Sequence, residues 1–152
     1  MTLRACIAAL ALSAVAFMAG PAHAIAEAPS IEVWKSATCD CCIKWVENLE
    51  ANGFALKVNA ADTAMLQHLK RQAGIGKDLS SCHTAKIDGY VVEGHVPAAD
   101  VKRLVGERPD AVGLTVPGMP IGSPGMEKGD EVEPYDVILI KKDGSTEIFA
   151  KH

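Results

Sequence analysis

Hydrophobic and polar positions alternate and recur along the chain in a way that predicts an ordered series of short elements. Ile31-Glu32-Val33-Trp34 is a brief apolar run that reads as a strand over Ile31 to Lys35. Cys42, Trp45, Val46 and Leu49 then recur at i, i+3, i+4 and i+7, the period of an amphipathic helix, from about Cys41 to Ala51. Asn52-Gly53 is its stop signal. Phe54, Leu56 and Val58 alternate with small or polar residues, as in a second strand. Asp62 or Thr63 can cap a second helix with Met65, Leu66, Leu69 and Ala73 on its apolar face, ended by Gly74. A polar loop, Gly74 to Ser81, delivers Cys82-His83-Thr84. Thr84 to Ile87 and Tyr90 to Glu93 flank Asp88-Gly89 and read as a hairpin. Pro97 opens a third helix with Val101, Leu104 and Val105 on one face.

Beyond Arg108-Pro109 the pattern changes. Gly113 to Gly129 carries Pro117, Pro120 and Pro124, five glycines, and Met119 and Met126; such a stretch cannot be helical and reads as an ordered loop. Tyr135 to Ile140 and Thr146 to Phe149 flank Asp143-Gly144 and read as a final hairpin. The order is strand, helix, strand, helix, hairpin, helix, with cysteines ahead of the first helix. It predicts an α/β, thioredoxin-like core with a C-terminal Gly/Pro/Met loop and β-hairpin extension. In that fold the loop before the hairpin lies beside the first helix turn. Cys82 is therefore expected next to Cys39, Cys41 and Cys42 in space.

The stretch Thr38-Cys39-Asp40-Cys41-Cys42 carries the chemistry. It falls at a strand-to-helix turn, where unpaired N–H groups and the helix dipole favour negative charge and lower a thiol's pKa. Thiolates are both nucleophiles and soft-metal ligands, so the site is for thiol redox chemistry or for metal. Cys39 and Cys42 form a C-x-x-C pair, as in thioredoxin oxidoreductases. A third thiol between them would trap or scramble a disulfide in turnover, and Cys82 stands where redox thioredoxins dock peptide. Converging thiolates suit a soft metal. Three thiolates in one helix turn exceed the usual zinc knuckle and suit bridging of more than one Cu(I). Met119 and Met126 are thioether candidates, with gap-filling packing as the alternative. His83 adjoins Cys82 and is a candidate ligand; His95 reads as a cap at the hairpin-to-helix junction, and His68 and His152 as solvent-facing. Trp34 and Trp45 read as core, with Trp45 able to shield the site from water. Asp40 adds a negative charge that opposes thiolate formation and favours a bound cation.

Composition narrows the setting. The 152 residues suffice for one domain with a real core. Residues 1–24 read as a secretory signal peptide: Arg4, an apolar run from Cys6 to Met18, and the small-x-small signal Ala22-His23-Ala24. Cleavage after Ala24 leaves a single domain, residues 25–152, in the periplasm. Fifteen basic against nineteen acidic residues give a formal charge of −4, and loss of Arg4 makes the mature chain one unit more acidic. No basic run survives, which argues against nucleic acid and anionic membrane as partners. No stretch of the mature chain is long enough to span a bilayer.

The run of motifs TCDCC with KW, SCHTA, GYVVEGHVPA, ERP, GLTVPGMPIGSPGME and PYDV resembles the exported CopG-type copper-resistance family. The resemblance covers Val33 to about Phe149. It implies a thioredoxin-like fold and a cysteine-bridged Cu(I) cluster of four coppers, with Cys39, Cys41, Cys42 and Cys82 as its thiolates. It also implies a nearby methionine, Met119 or Met126. Ala37 and Asp40 stand where many relatives have Pro and Gly, which changes the turn and leaves every thiol in place. The expected function is a periplasmic copper-binding protein that holds Cu(I) for resistance or homeostasis. It would store copper or exchange it with other periplasmic copper-handling proteins, and metal handling is expected rather than catalysis. A periplasmic thiol-disulfide oxidoreductase is the alternative, and a zinc or mercury protein would use the same ligands.

Overall fold

A computed structural model describes residues 30–152; the expected signal peptide lies outside the described residues. Eleven elements follow in order: β1 (Ser30–Lys35), α1 (Asp40–Ala51), β2 (Ala55–Ala60), α2 (Thr63–Gln72), a 3₁₀ turn (Lys77–Leu79), β3 (Thr84–Ile87), β4 (Tyr90–Glu93), α3 (Ala98–Glu107), β5 (Ala111–Thr115), β6 (Asp136–Lys141) and β7 (Thr146–Lys151). All strands join one mixed sheet in the order β2-β1-β3-β4-β5-β6-β7. β1 with β2 and β4 with β5 are parallel, each joined through a crossover helix, and the other neighbours are antiparallel. Among the described residues, no helix is long and apolar enough to cross a membrane.

The helix period placed α1 correctly. Cys42, Trp45, Val46 and Leu49 are its buried residues, and all but Cys42 join the main core with Ile31, Val33, Ile87 and Val92 from the sheet and Val101 and Leu104 from α3. Successive strand residues face opposite sides. Val91, between Tyr90 and Val92, therefore joins a smaller cluster with Ile75 and Ile140 on the other face. Asp62 caps α2, its carboxylate accepting from the Met65 N–H at 2.8 Å.

Four expectations need correction. Gly113 was expected to begin the irregular loop, yet Ala111–Thr115 is an interior strand. A Cβ at Gly113 would sit 1.8 Å from the Val91 carbonyl oxygen, so the glycine permits a close approach of β4 and β5 next to a bulge between Ala111 and Gly113. β5 links the last hairpin to the rest, so β6 and β7 continue the same sheet. Met65 was expected in the core and is 48% exposed, because α2 turns Leu66, Leu69 and Lys70 inward instead. Val58 is 44% exposed because β2 is an edge strand with little covering it, and Trp34 is only half-buried.

Candidate metal centre

The turn after β1 closes with the Cys39 N–H donating to the Ser36 carbonyl at 3.2 Å. Cys39 is then the N-cap of α1, with no side-chain cap, and Cys41 and Cys42 lie in the first helical turn with the exposed Asp40. The first N–H groups of a helix have no intrahelical partner and favour negative charge. Cys82 arrives from the opposite direction. β1 pairs antiparallel with β3 with Trp34 opposite Thr84. The residues just before Thr84 therefore run on past the end of β1 to the helix start.

The sulfurs converge as a result. Cys42 Sγ lies 3.3 Å from Cys82 Sγ, and Cys39 Sγ lies 3.5 Å from Cys41 Sγ. All four sulfurs fall within 4.8 Å of one another. Cys39 and Cys42 are joined in a disulfide with a Cα–Cα distance of 5.4 Å, while Cys41 and Cys82 are free thiols. The sequence reading had taken this group as a cluster of free thiols; the C-x-x-C pair is closed here. Burial first, and then the neighbouring Cys41, pushes the Cys82 thiol up to about 12. Cys82 is thus a neutral thiol without a cation beside it, and a metal must displace its proton.

Two histidines stand on the inner side of Cys82. His83 Nδ1 is 3.3 Å from Cys82 Sγ, and the His83 ring lies 4.4 Å from the Trp45 ring. Its Nε2 is buried with no partner. Burial, aided by His95 and Lys70, holds His83 well below the ordinary imidazole range. His95 is completely buried and places Nε2 3.1 Å from Cys82 Sγ. Its other nitrogen, Nδ1, donates to the Pro124 carbonyl at 2.8 Å, which leaves the Nε2 lone pair toward the sulfur. Burial lowers its pKa too. Trp45 is fully buried, and its indole N–H donates to the Val96 carbonyl at 2.9 Å.

His95 was expected only as a cap and is a site residue that the sequence reading missed. A signal for it existed. The Asp88-Gly89 turn pairs Ile87 with Tyr90 and Thr84 with Glu93. Two further steps outward set Cys82 opposite His95.

The Gly/Pro loop lies over the site. Gly125 packs on α1 so closely that a Cβ there would meet the Cys41 carbonyl oxygen at 2.5 Å and the Trp45 nitrogen at 2.9 Å. Met126 follows it and is half-buried; Met119 is 50% exposed, although its neighbour Gly118 accepts from the Ser81 hydroxyl. Behind Cys82, the buried Glu93 carboxylate accepts from Lys70 Nζ, from the Ser81 N–H at 2.7 Å and from the Thr84 hydroxyl at 2.7 Å. This network grips the residues that bracket Cys82 and His83. Among the other histidines, His68 is exposed as expected. His152 is held, stacked on Tyr135 and 2.7 Å from the Asp100 carboxylate.

Two solved structures of a copper resistance protein CopG, forms 1 and 2, each share 44% identity with the chain at a TM-score of 0.77. Each alignment covers 83% of this chain and 98–99% of the other. The chain belongs to the CopG copper-resistance family. A family model described as a protein of unknown function, DUF411, matches residues 79–126. Within the family fold, that segment holds Cys82, His83, His95 and the Gly/Pro loop, while the Cys39–Cys42 turn lies before it. No curated protein matches the chain.

Proposed function

We propose that this protein binds copper as Cu(I), with the thiolates of Cys39, Cys41, Cys42 and Cys82 bridging more than one ion. The observation that carries the reading is the convergence of four sulfurs, from two segments forty residues apart, within 4.8 Å. A thiolate sulfur links two soft ions readily, and a single Cu(I) has no need of four thiolates. The named copper resistance of the CopG relatives supports copper over zinc or mercury. The four-thiolate set forms once the Cys39–Cys42 disulfide has taken up two electrons. Between the methionines, Met126 is the better thioether candidate, because Gly125 packs on the Cys41 carbonyl and Met126 is less exposed than Met119. We also read β1 to α3 as a thioredoxin-like core, on the strand order β2-β1-β3-β4 with β3 antiparallel to β1 and β4. The reading of residues 1–24 as a signal peptide supports a periplasmic location, with copper storage or exchange with other periplasmic proteins as the role.

Anaerobic titration of the reduced protein with Cu(I), followed by mass spectrometry, is expected to yield a species with several coppers per chain. Saturation at one copper would refute bridging. The closed Cys39–Cys42 disulfide at a helix start favours a second reading, a thiol-disulfide oxidoreductase. Insulin reduction at a rate close to that of a thioredoxin control, with no protection of the thiols by Cu(I) against alkylation, would establish that reading instead.

A further inference from the structure

We propose that the cleft between the end of α2 and the 3₁₀ turn binds a small, doubly charged oxyanion, a phosphate group or a dicarboxylate. The cleft has a volume of about 340 Å³, within the range of small-molecule sites. Lys70 and Arg71 line it from α2 and Lys77 from the 3₁₀ turn, beside Gln67, Ser80 and the buried Ile75. Three cations line the cleft and no carboxylate does. The chain as a whole has a formal charge of −4, so this concentration of positive charge runs against its composition.

The pairing of these cations sets the charge of the ligand. Lys70 is matched by the buried Glu93 carboxylate. Arg71 and Lys77 form no ion pair among the described residues, which leaves two unmatched positive charges. Lys70 still has a donor to offer: its ammonium carries three N–H groups and gives two, to Glu93 and to the Thr84 hydroxyl. It is only 8% exposed, so solvent screens its charge less than that of a surface lysine. Gln67, Lys70 and Arg71 stand at i, i+3 and i+4 and so share one face of α2. Cations in the last turn of a helix complement its dipole, which accounts for Arg71 but not for Lys77, beyond the helix. The chemistry of the lining gives the class of ligand. A guanidinium fork holds two oxygens of a phosphate or carboxylate, lysines act as point charges, and the Gln67 amide and Ser80 hydroxyl add neutral donors.

The test follows backbone amide chemical shifts of the oxidised, metal-free protein by NMR as inorganic phosphate or succinate is added, with sodium chloride at matched ionic strength as the control. Saturable shifts centred on Arg71, Lys77 and Ser80 are expected, with a Kd of about 1 mM or tighter. Saturation by phosphate alone assigns a phosphoryl ligand, and by succinate alone a dicarboxylate; saturation by both supports recognition of the oxyanion charge itself. Arg71→Gln and Lys77→Gln replace exposed side chains. Each should weaken binding about five- to ten-fold, and the double variant should abolish saturation. Arg71→Lys should recover part of the affinity by restoring the charge without the fork. Lys70 is left in place because it also holds Glu93, and circular dichroism checks that each variant folds. Shifts that do not saturate, that chloride reproduces or that centre elsewhere would overturn the proposal, as would affinities of the folded Gln variants within two-fold of the parent. The cleft contains none of the cysteines, so Cu(I) titration of the reduced protein reads the four-sulfur group independently of this result.

Discussion

Replacing Lys70 by Met tests how the cysteine segment is held. Lys70 Nζ, on α2, meets the Glu93 carboxylate, on β4, in a pair whose side chains are 11% and 0% exposed. Lys70 also donates to the Thr84 hydroxyl at 3.0 Å. Lys70→Met keeps the aliphatic stem and strands a carboxylate in the interior, which costs about 3–5 kcal/mol. Adding Glu93→Gln removes the stranded charge and keeps an acceptor for Ser81 and Thr84, so the double variant should lie within about 1.5 kcal/mol of the parent. The pH dependence has a definite sign. Burial pushes the Glu93 carboxyl up, against the pull of Lys70, and removing Lys70 pushes it further. A carboxyl raised on folding gives stability that is complete below its unfolded pKa and lost as pH rises through its folded pKa. The Lys70→Met deficit should therefore be large at neutral pH and shrink toward about pH 4, where an unfolded glutamate takes up its proton. Urea unfolding of the oxidised, metal-free protein at both pH values measures it. A deficit below about 1 kcal/mol at neutral pH, or one equal at the two pH values, would refute the account of a charge stranded by the loss of Lys70.

Cys82→Ser should lower the Cu(I) stoichiometry of the reduced protein as much as Cys41→Ser, read by anaerobic mass spectrometry; unchanged copper content would remove Cys82 from the site. Gly125→Ala places a methyl 2.5 Å from the Cys41 carbonyl oxygen at a backbone φ of +88°. It should cost about 3 kcal/mol in denaturant unfolding. Gly118→Ala, at φ +69° with open space around it, should cost only about 1–2 kcal/mol for the left-handed backbone; equal losses would show that the loop does not press on α1.

The parts of the fold legible in the sequence are those where local chemistry and burial agree. The apolar period of α1 coincides with its buried face because Trp45, Val46 and Leu49 pack into the main core against the sheet. The β3–β4 hairpin was legible because Asp88 and Gly89 adopt φ of +49° and +86°, the left-handed pair that a two-residue turn demands. β5 was not legible, because its glycine answers to a neighbouring strand: the demand comes from Val91, on β4, and not from any local turn. Met65 fails for a related reason. Its spacing fits the apolar face of α2, but the inward position is taken by Lys70, whose ammonium has a buried carboxylate to meet.

The candidate site divides along the same line. Cysteine spacing made the first three sulfurs visible, and element order brought in the fourth, because a strand antiparallel to β1 returns to the start of α1. What spacing does not carry is state. The same four residues are compatible with free thiols or with the Cys39–Cys42 disulfide found here, and the choice depends on electrons supplied from outside the chain. The histidines show the limit from the other side. His83 was noticed for its neighbour in sequence, and His95 was passed over although it stands nearer to Cys82 in space, at 3.1 Å against 3.3 Å. Counting outward from a tight turn recovers it, since a hairpin register assigns every residue beyond the turn a partner on the facing strand. A cysteine just before one strand and a histidine just after the next are then facing neighbours, as Cys82 and His95 are at 3.1 Å.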